Sequence, residues 1–108
     1  MPDKPIINIM AQDAPPGKEE QYNEWTNKHL DVLFKFKGIK KAERYKRIGT
    51  DEKVPQYIGV YYFDNFKDFE EYNKSPELAA AIKTEGRPEG IVVKWRAQFE
   101  LIKRWEKK

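Results

Sequence analysis

The sequence predicts an α+β domain in which helices cover one face of an antiparallel, four-stranded sheet. Three observations support this: a helical hydrophobic period that begins after residue 18, an almost wholly apolar segment at residues 57–63, and apolar residues that alternate from Ile91 onwards. The chain of 108 residues has the size of one domain, so we expect residues 1–108 to form a single unit.

The first two elements are predicted to be a strand and a long helix. Residues 6–10 (IINIM) are compact and rich in β-branched side chains, which favours a strand, and residues 13–17 contain the Pro and Gly of a loop. From Lys18 the apolar period becomes that of a helix, with a stripe that comprises Tyr22, Trp25, His29, Val32, Leu33 and Phe36. Gly38 is expected to follow the helix end, where glycine is common.

The next two elements are predicted to form a hairpin. Residues 57–63 (YIGVYYF) are apolar and aromatic, as in a buried strand that needs a partner. Residues 39–48 have an apolar side chain at every third position, a spacing closer to that of a helix. The turn-rich residues 49–55 nevertheless favour a strand there, because a hairpin then supplies the partner.

A second helical crossover and a last strand complete the chain. Asn65 is expected to cap a short helix that carries Phe66, Phe69 and Tyr72. Ser75 and Pro76 suit the N-cap and first position of a second helical segment, whose inner face is formed by Leu78, Ala81 and Ile82. Gly86 and Pro88 end this segment.

The alternation of the last strand runs from Ile91 to Trp105, which would span about 50 Å at ~3.3 Å per residue. Because strands are usually much shorter, we expect its end to reach another subunit. The alternative is that the strand breaks near Gln98 and that residues 103–108 fray.

The order β-α-β-β-α-β is that of a ferredoxin-like fold, with the helices on one face of the sheet. In residues 57–63 both alternating sets of side chains are apolar, and residues 6–10 are apolar on both sides as well. The helix-free face therefore cannot simply be solvated, and a second molecule is expected to cover it.

Composition excludes several classes of protein. The chain has no cysteine, which removes disulfides, thiolate metal sites and thiol nucleophiles and fits a reducing cytoplasm. The longest uncharged stretch, residues 54–63, is too short to cross a membrane, and the N-terminal residues lack the apolar core of a signal peptide. We therefore expect a soluble, cytoplasmic protein without a membrane partner.

Metal and nucleotide chemistry is not expected. The chain has one histidine, scattered carboxylates with no ligand spacing, and no glycine-rich phosphate loop. We therefore predict no metal site and no cofactor.

His29 is the candidate acid/base residue. It lies near the centre of the helical stripe, beside Trp25, so its imidazole is expected to face the sheet. A partly buried histidine can transfer protons near neutral pH. The alternative is a structural histidine that is hydrogen-bonded to a backbone carbonyl or a tyrosine.

Tyrosines on the predicted hairpin are candidate ligand-binding residues. An aromatic cavity is expected to be lined by Tyr45, Tyr57, Tyr61, Tyr62 and Trp95, with phenols that stack on a ligand and donate hydrogen bonds. The alternative is that these side chains fill the core or a subunit interface. Arg44 is a candidate charge-assisted donor to a carboxylate or enolate, or else an ordinary surface charge.

A series of short motifs occurs in order along most of the chain: Tyr22-x-x-Trp25-x-x-x-His29, Gly38-Ile39, Arg44-Tyr45, Tyr61-Tyr62-Phe63-Asp64, Ser75-Pro76-Glu77 and Ala79-Ala80. The series resembles the EthD-like branch of the dimeric α+β barrel proteins. It departs at Asp31, where many members have a proline two residues after the helix histidine. The resemblance implies a homodimer in which two sheets pack face to face as a barrel.

The resemblance implies less about activity, because the superfamily includes cofactor-independent monooxygenases, cyclases, dehydratases, decarboxylases, isomerases and haem-degrading enzymes. The leading hypothesis is a protein that binds or transforms an apolar, aromatic or enolisable small molecule between helices and sheet. In it, His29 is the acid/base, Tyr45 and Tyr61 orient the ligand, and Trp25 and Trp95 form walls.

Two other functions stay open. RNA-recognition modules share the element order and stack bases on an exposed sheet, but residues 56–63 lack their basic-Gly-aromatic opening. A net charge of +3 is also weak for phosphate binding, so a nucleic-acid partner is not expected. The third possibility is a non-catalytic dimeric domain.

Overall fold

The computed structural model describes residues 4–108. Its elements in chain order are β1 (Ile6–Asp13), α1 (Glu19–Leu33), β2 (Ile39–Lys46), β3 (Tyr57–Phe63), α2 (Phe66–Asn73), α3 (Pro76–Ile82) and β4 (Val92–Glu100). The strands form one antiparallel sheet in the order β2-β3-β1-β4, and the helices lie on one face of it. The predicted α+β, ferredoxin-like architecture is confirmed.

The register of the central strands decides which side chains share a face. Ile6 on β1 lies opposite Phe63 on β3 and Glu100 on β4, and the pairing continues along β1. Because side chains alternate across a strand, each residue two positions along returns to the same face. Ile6 and Phe63 are buried under the helices, so the set in register with them is the helix face.

The hydrophobic core lies between this face and the helices. Its buried members are Ile6, Leu33, Ile39, Tyr61, Phe63, Phe69, Tyr72 and Ala81. The Phe63 ring packs edge-on against Phe69 at a centroid distance of 5.5 Å and against Tyr72 at 5.4 Å. Aromatic pairs of this kind add to the energy of burial, so large rings fill a core that is poor in aliphatic residues.

The end of α1 differs from the prediction. The helix ends at Leu33 rather than near Gly38, and Gly38 does not adopt the left-handed conformation of a helix-terminating glycine. A Cβ atom at Gly38 would lie 2.5 Å from Cε2 of Phe36. The glycine is therefore required by the close approach of the Phe36 ring, which packs on Tyr72 at 5.9 Å.

The predicted caps of the second crossover are confirmed. Asn65 Oδ1 accepts a hydrogen bond of 2.8 Å from the backbone N–H of Asp68, and Ser75 Oγ accepts one of 3.1 Å from the N–H of Leu78. Pro76 follows at the first position of α3. Ile82 was predicted on the inner face, but 63% of it is exposed, because it lies at the end of a short helix and about 100° around the axis from the buried Ala81.

The last strand is shorter than predicted. β4 ends at Glu100, and beyond it a single backbone hydrogen bond of 2.8 Å joins the Leu101 N–H to the Pro5 carbonyl. The neighbouring strand β1 begins at Ile6, so residues after Leu101 have no strand to pair with. At its other end β1 extends to Asp13, beyond the predicted strand, because Asp13 pairs with Val92.

Within residues 4–108, no helix combines the length and the apolar character that crossing a membrane requires.

Candidate functional site

His29 and Trp25 lie on the edge of α1 that faces α3. The His29 ring stacks on the Trp25 ring at 4.7 Å, and His29 Nδ1 lies 2.7 Å from the backbone oxygen of Ala81. Trp25 Nε1 donates a 2.9 Å hydrogen bond to the Thr84 oxygen. The expectation that the imidazole faces the sheet is wrong, because the sheet side of α1 is occupied by the buried Tyr22.

The contact with Ala81 determines the tautomer of His29. A carbonyl oxygen only accepts, so Nδ1 carries the proton and Nε2 is the basic nitrogen. Burial lowers the pKa of His29 below its ordinary value, against the opposing effect of the Ala81 hydrogen bond, and the nearby Arg87 charge lowers it further. The side chain is therefore neutral at pH 7, with Nε2 as a base.

Tyr61 lies on the helix face of β3 and is only 7% exposed. Its burial raises the pKa of the phenol to about 12, so the hydroxyl stays protonated at any physiological pH. A Cβ atom at Gly59 would come within 3.1 Å of this hydroxyl oxygen, so the glycine leaves room for the phenol. Among residues 4–108 the Tyr61 hydroxyl has no hydrogen-bond partner, although its ring is fixed in the core.

Arg44 lies on the helix face of β2, beneath the outer edge of α1. Its guanidinium donates to Asn27 Oδ1 at 2.9 Å and to Asn23 Oδ1 at 2.8 Å. It also lies over the rings of Tyr22 and Tyr57, with distances of 5.6 and 5.7 Å to the centroids. The side chain is thus half-buried and held in one orientation by two amides and two aromatic rings.

Tyr45 and Trp95 lie on the opposite, helix-free face. Tyr45 pairs with Ile58, and Trp95 pairs with Ala11, which places both out of register with the helix face. Tyr45 is 49% exposed and Trp95 is 43% exposed. Neither side chain reaches the layer that contains Tyr61.

The single aromatic cavity expected from the sequence is therefore not formed. Tyr57 and Tyr61 point to the helices, whereas Tyr45, Tyr62 and Trp95 point away from them. The reason is the two-residue alternation of a strand, which sends neighbouring tyrosines to opposite faces. On the helix-free face the Tyr62 hydroxyl donates to Glu43 at 2.7 Å, and this hydrogen bond is the main reason that the pKa of Tyr62 rises to about 12.

Several polar groups around these residues were not singled out from the sequence. They are Asn23 and Asn27, which hold Arg44, and the carbonyls of Ala81 and Thr84, which hold His29 and Trp25. The two asparagines are four residues apart on α1, a spacing that places them on one helix face and that could have indicated a shared partner. The carbonyls could not be identified from the sequence, because every residue has one whatever its side chain.

Cavities lie between α1 and β2 and at one end of the sheet. Between α1 and β2, one cavity of about 450 Å³ is lined by Leu30, Asp31, Phe34, Lys35 and Ala42, and one of about 350 Å³ is lined by Glu19, Glu20, Asn23, Arg44, Tyr45, Lys46 and Tyr57. A cleft of about 990 Å³ lies at the end of the sheet, between Tyr62 and the C-terminal residues. No group of three or more metal-ligating side chains occurs in the described part of the chain.

Comparisons with known proteins show the fold of this chain. No family model and no curated protein sequence matches it. Solved structures do match: a candidate monooxygenase from Shewanella loihica PV-4 has a TM-score of 0.71 at 20% identity, over 94% of this chain and 98% of that one. This protein has a ferredoxin-like fold.

Two further structures agree with this. A dimeric ferredoxin-like protein from Thermobifida fusca YX has a TM-score of 0.67 at 16% identity, over 92% of each chain. An ethyl tert-butyl ether degradation (EthD) family protein from Bacillus halodurans C-125 has a TM-score of 0.66 at 14% identity, over 92% of this chain and 99% of that one. The EthD-like resemblance of the sequence is thus confirmed at the level of the fold, and at such low identity the match carries no statement on activity.

Proposed function

We propose that the protein is a homodimer that binds an apolar, aromatic or enolisable small molecule on the helix face of its sheet, without a cofactor. The observation that carries the proposal is the Tyr61 hydroxyl, which belongs to a largely buried side chain and has no protein partner among residues 4–108. The hydroxyl oxygen keeps some contact with solvent, so it is free to donate a hydrogen bond to a ligand that enters from there.

The homodimer is supported by the helix-free face. In register with one another on this face lie Ile7, Ile9, Ala11, Ile58, Val60, Tyr62, Trp95, Ala97 and Phe99. Ala11 and Val60 are already buried in the single chain, whereas Phe99 is 49% exposed and Trp95 is 43% exposed, and large exposed apolar side chains on one face are typical of an interface. In this proposal a second copy packs sheet against sheet and covers it, and the similar structure from Thermobifida fusca YX is described as a dimeric ferredoxin-like protein.

The ligand position is supported by the polar aromatic lining of the helix face. Tyr57 and Tyr61 flank Gly59, and the Tyr61 hydroxyl lies over this glycine, 3.1 Å from the position that a Cβ atom would take. Small-molecule sites combine such aromatic walls with a few polar groups that fix orientation. In this proposal Tyr61 donates to a ligand carbonyl or enolate, and Tyr45 and Trp95 contribute to the covered face instead of the ligand site.

Proton transfer is a second candidate function, and the geometry of His29 favours it. The Ala81 carbonyl fixes the proton on Nδ1, and Trp25 holds the ring in place, so neutral Nε2 is oriented as a general base. An enolisable ligand with its acidic proton at Nε2 would be deprotonated there. Trp25 in this scheme forms one wall.

The experiment is native mass spectrometry of the purified protein, which reports the number of subunits and any small molecule that is retained. A dimer with a retained apolar compound, whose retention falls in Tyr61→Phe, supports the proposal. The matched control is Tyr62→Phe, which removes a hydroxyl from the other face. A monomer at micromolar concentration contradicts the homodimer. The aromatic sheet face would then favour the nucleic-acid hypothesis, which is tested by measuring binding of single-stranded RNA at low salt.

Proton transfer is tested with the compound so identified. Exchange of its acidic hydrogen for deuterium in heavy water is expected to be accelerated by the protein and to be lost in His29→Gln. An unchanged exchange rate in the variant contradicts the role of His29.

A further inference from the structure

We propose that the groove between α1 and β2 is an anion site, in which Arg44 binds the carboxylate of an amphipathic acid whose apolar body lies along Leu30, Phe34 and Ala42. The inference rests on the proposed function, because it names the chemical class of the ligand on the helix face.

Arg44 is an arginine without an acidic partner. No carboxylate of residues 4–108 forms an ion pair with it, although the guanidinium is half-buried. Its two hydrogen bonds go to the neutral amide oxygens of Asn23 and Asn27. Arginines removed from water are usually paired with an anion, whereas no carboxylate of residues 4–108 lies within ion-pair distance of this half-buried guanidinium.

The amides and rings around Arg44 orient it without neutralising it. The hydrogen bonds to Asn23 and Asn27 use two of the five N–H groups of the guanidinium, so the others stay open for a ligand. The faces of Tyr22 and Tyr57 lie within 6 Å and stabilise the cation. A planar carboxylate matches such a fixed fork of donors, and the entropy of ordering the arginine is already lost in the free protein.

The space on either side of Arg44 determines where the rest of the ligand lies. On one side lies the cavity of about 450 Å³, which Arg44 itself does not line. It is formed by the apolar Leu30, Phe34 and Ala42 together with the charged Asp31 and Lys35. Ala42 and Arg44 are two residues apart on β2 and therefore share a face. Phe34 is 51% exposed although it is a large apolar residue, and a ligand body packed on it would remove this surface from water.

On the other side, the cavity of about 350 Å³ has Glu19 and Glu20 on its rim. The Glu19 carboxylate is turned towards Gln56, whose Nε2 donates to it at 2.6 Å. Arg44 also lines this cavity, so its charge is shared with these two carboxylates there, and the ligand is expected on the Phe34 side of Arg44. From Asn27 to Phe34 the helix rises about 10 Å, which is the length of a medium-chain acid.

The test is isothermal titration calorimetry with octanoate as the probe, at one ionic strength and with the full chain. Octanoate is expected to bind. Acetate and octanol are expected to bind at least 10-fold more weakly, because acetate lacks the apolar chain and octanol lacks the carboxylate. Arg44→Gln is expected to weaken octanoate binding by about 10- to 100-fold, as for the loss of a hydrogen-bonded charge. The matched control Arg104→Gln removes an equal charge from the C-terminal residues and is expected to leave the affinity unchanged.

Thermal melting checks that each variant is folded, and Arg44→Lys keeps the charge without the planar fork, so it is expected to bind with intermediate affinity. The inference is overturned if octanoate does not bind at millimolar concentration, if Arg44→Gln binds it as the natural protein does, or if octanol binds equally well. Such an outcome leaves the proposed function standing wherever Tyr61→Phe still loses its retained compound. If Tyr61→Phe retains that compound as the natural protein does, while Arg44→Gln still weakens octanoate binding, the proposed function is contradicted and this inference is not.

Discussion

Replacement of Trp95 by Ala is expected to weaken the proposed homodimer without unfolding the protomer. Trp95 is 43% exposed on the helix-free face. With about 250 Å² for a full tryptophan side chain, roughly 100 Å² remains to be covered by a second copy. At ~25 cal/mol per Å² this is about 2.5 kcal/mol for each protomer, and a symmetric dimer contains the residue twice.

The variant therefore loses about 5 kcal/mol of dimerisation energy at most, so the dissociation constant rises by up to about 4000-fold. Sedimentation velocity over a range of protein concentrations measures this shift. The control is Phe66→Ala, because Phe66 is 52% exposed but begins α2 on the opposite side of the sheet. If both variants dimerise as the natural protein does, the helix-free face is not the interface and the reasoning from its apolar surface is wrong.

Three further predictions concern stability. Burial lowers the pKa of His29, so below pH 6.5 the unfolded chain binds more protons than the folded one. The contribution of neutral His29 to stability is therefore full above about pH 6.5 and is lost as the pH falls below it. Thermal melting between pH 5 and 8 measures this, and His29→Gln should remove that part of the pH dependence, since the chain has no other histidine. Gly38→Ala should cost about 1–3 kcal/mol in urea unfolding, because its Cβ would overlap the Phe36 ring, and an unchanged midpoint would contradict that contact. Ser75→Ala should cost about 1 kcal/mol through the lost cap of α3, whereas Ser75→Thr should retain most of it, because its hydroxyl can still accept from Leu78 and donate to the Tyr72 carbonyl.

Local patterns were sufficient for the element order and for the caps. Asn65 and Ser75 each bond to an N–H three residues along the chain, so the information for these helix starts lies within one turn. The hairpin at residues 39–63 was also predicted correctly, against the three-residue spacing of its first strand, because the apolar strand after it required a partner.

Local patterns failed where a distant contact decided the outcome. Gly38 suggested a helix end, but its lack of a Cβ atom instead makes room for the Phe36 ring, which packs on Tyr72. The length of β4 was overestimated because alternation continues past Glu100, whereas its neighbour β1 begins at Ile6 and offers no backbone groups beyond. The partners of His29 and Trp25 are 52 and 59 residues away, and they are backbone carbonyls that any sequence provides.

The sequence by itself determined that the sheet is apolar on both faces, because the two alternating sets of side chains of a strand can be read directly from it. It therefore also predicted that something must pack on the face without helices. It could not determine which set meets the helices: β3 carries Tyr57 and Tyr61 in one set and Ile58 and Tyr62 in the other, and both sets are apolar. Only the tertiary structure decided this, because the packing of α1 and α2 on the sheet selects one register of side chains. That choice places Tyr61 and Arg44 on the face proposed to bind a ligand, and Tyr45 and Trp95 on the face proposed to contact a second copy.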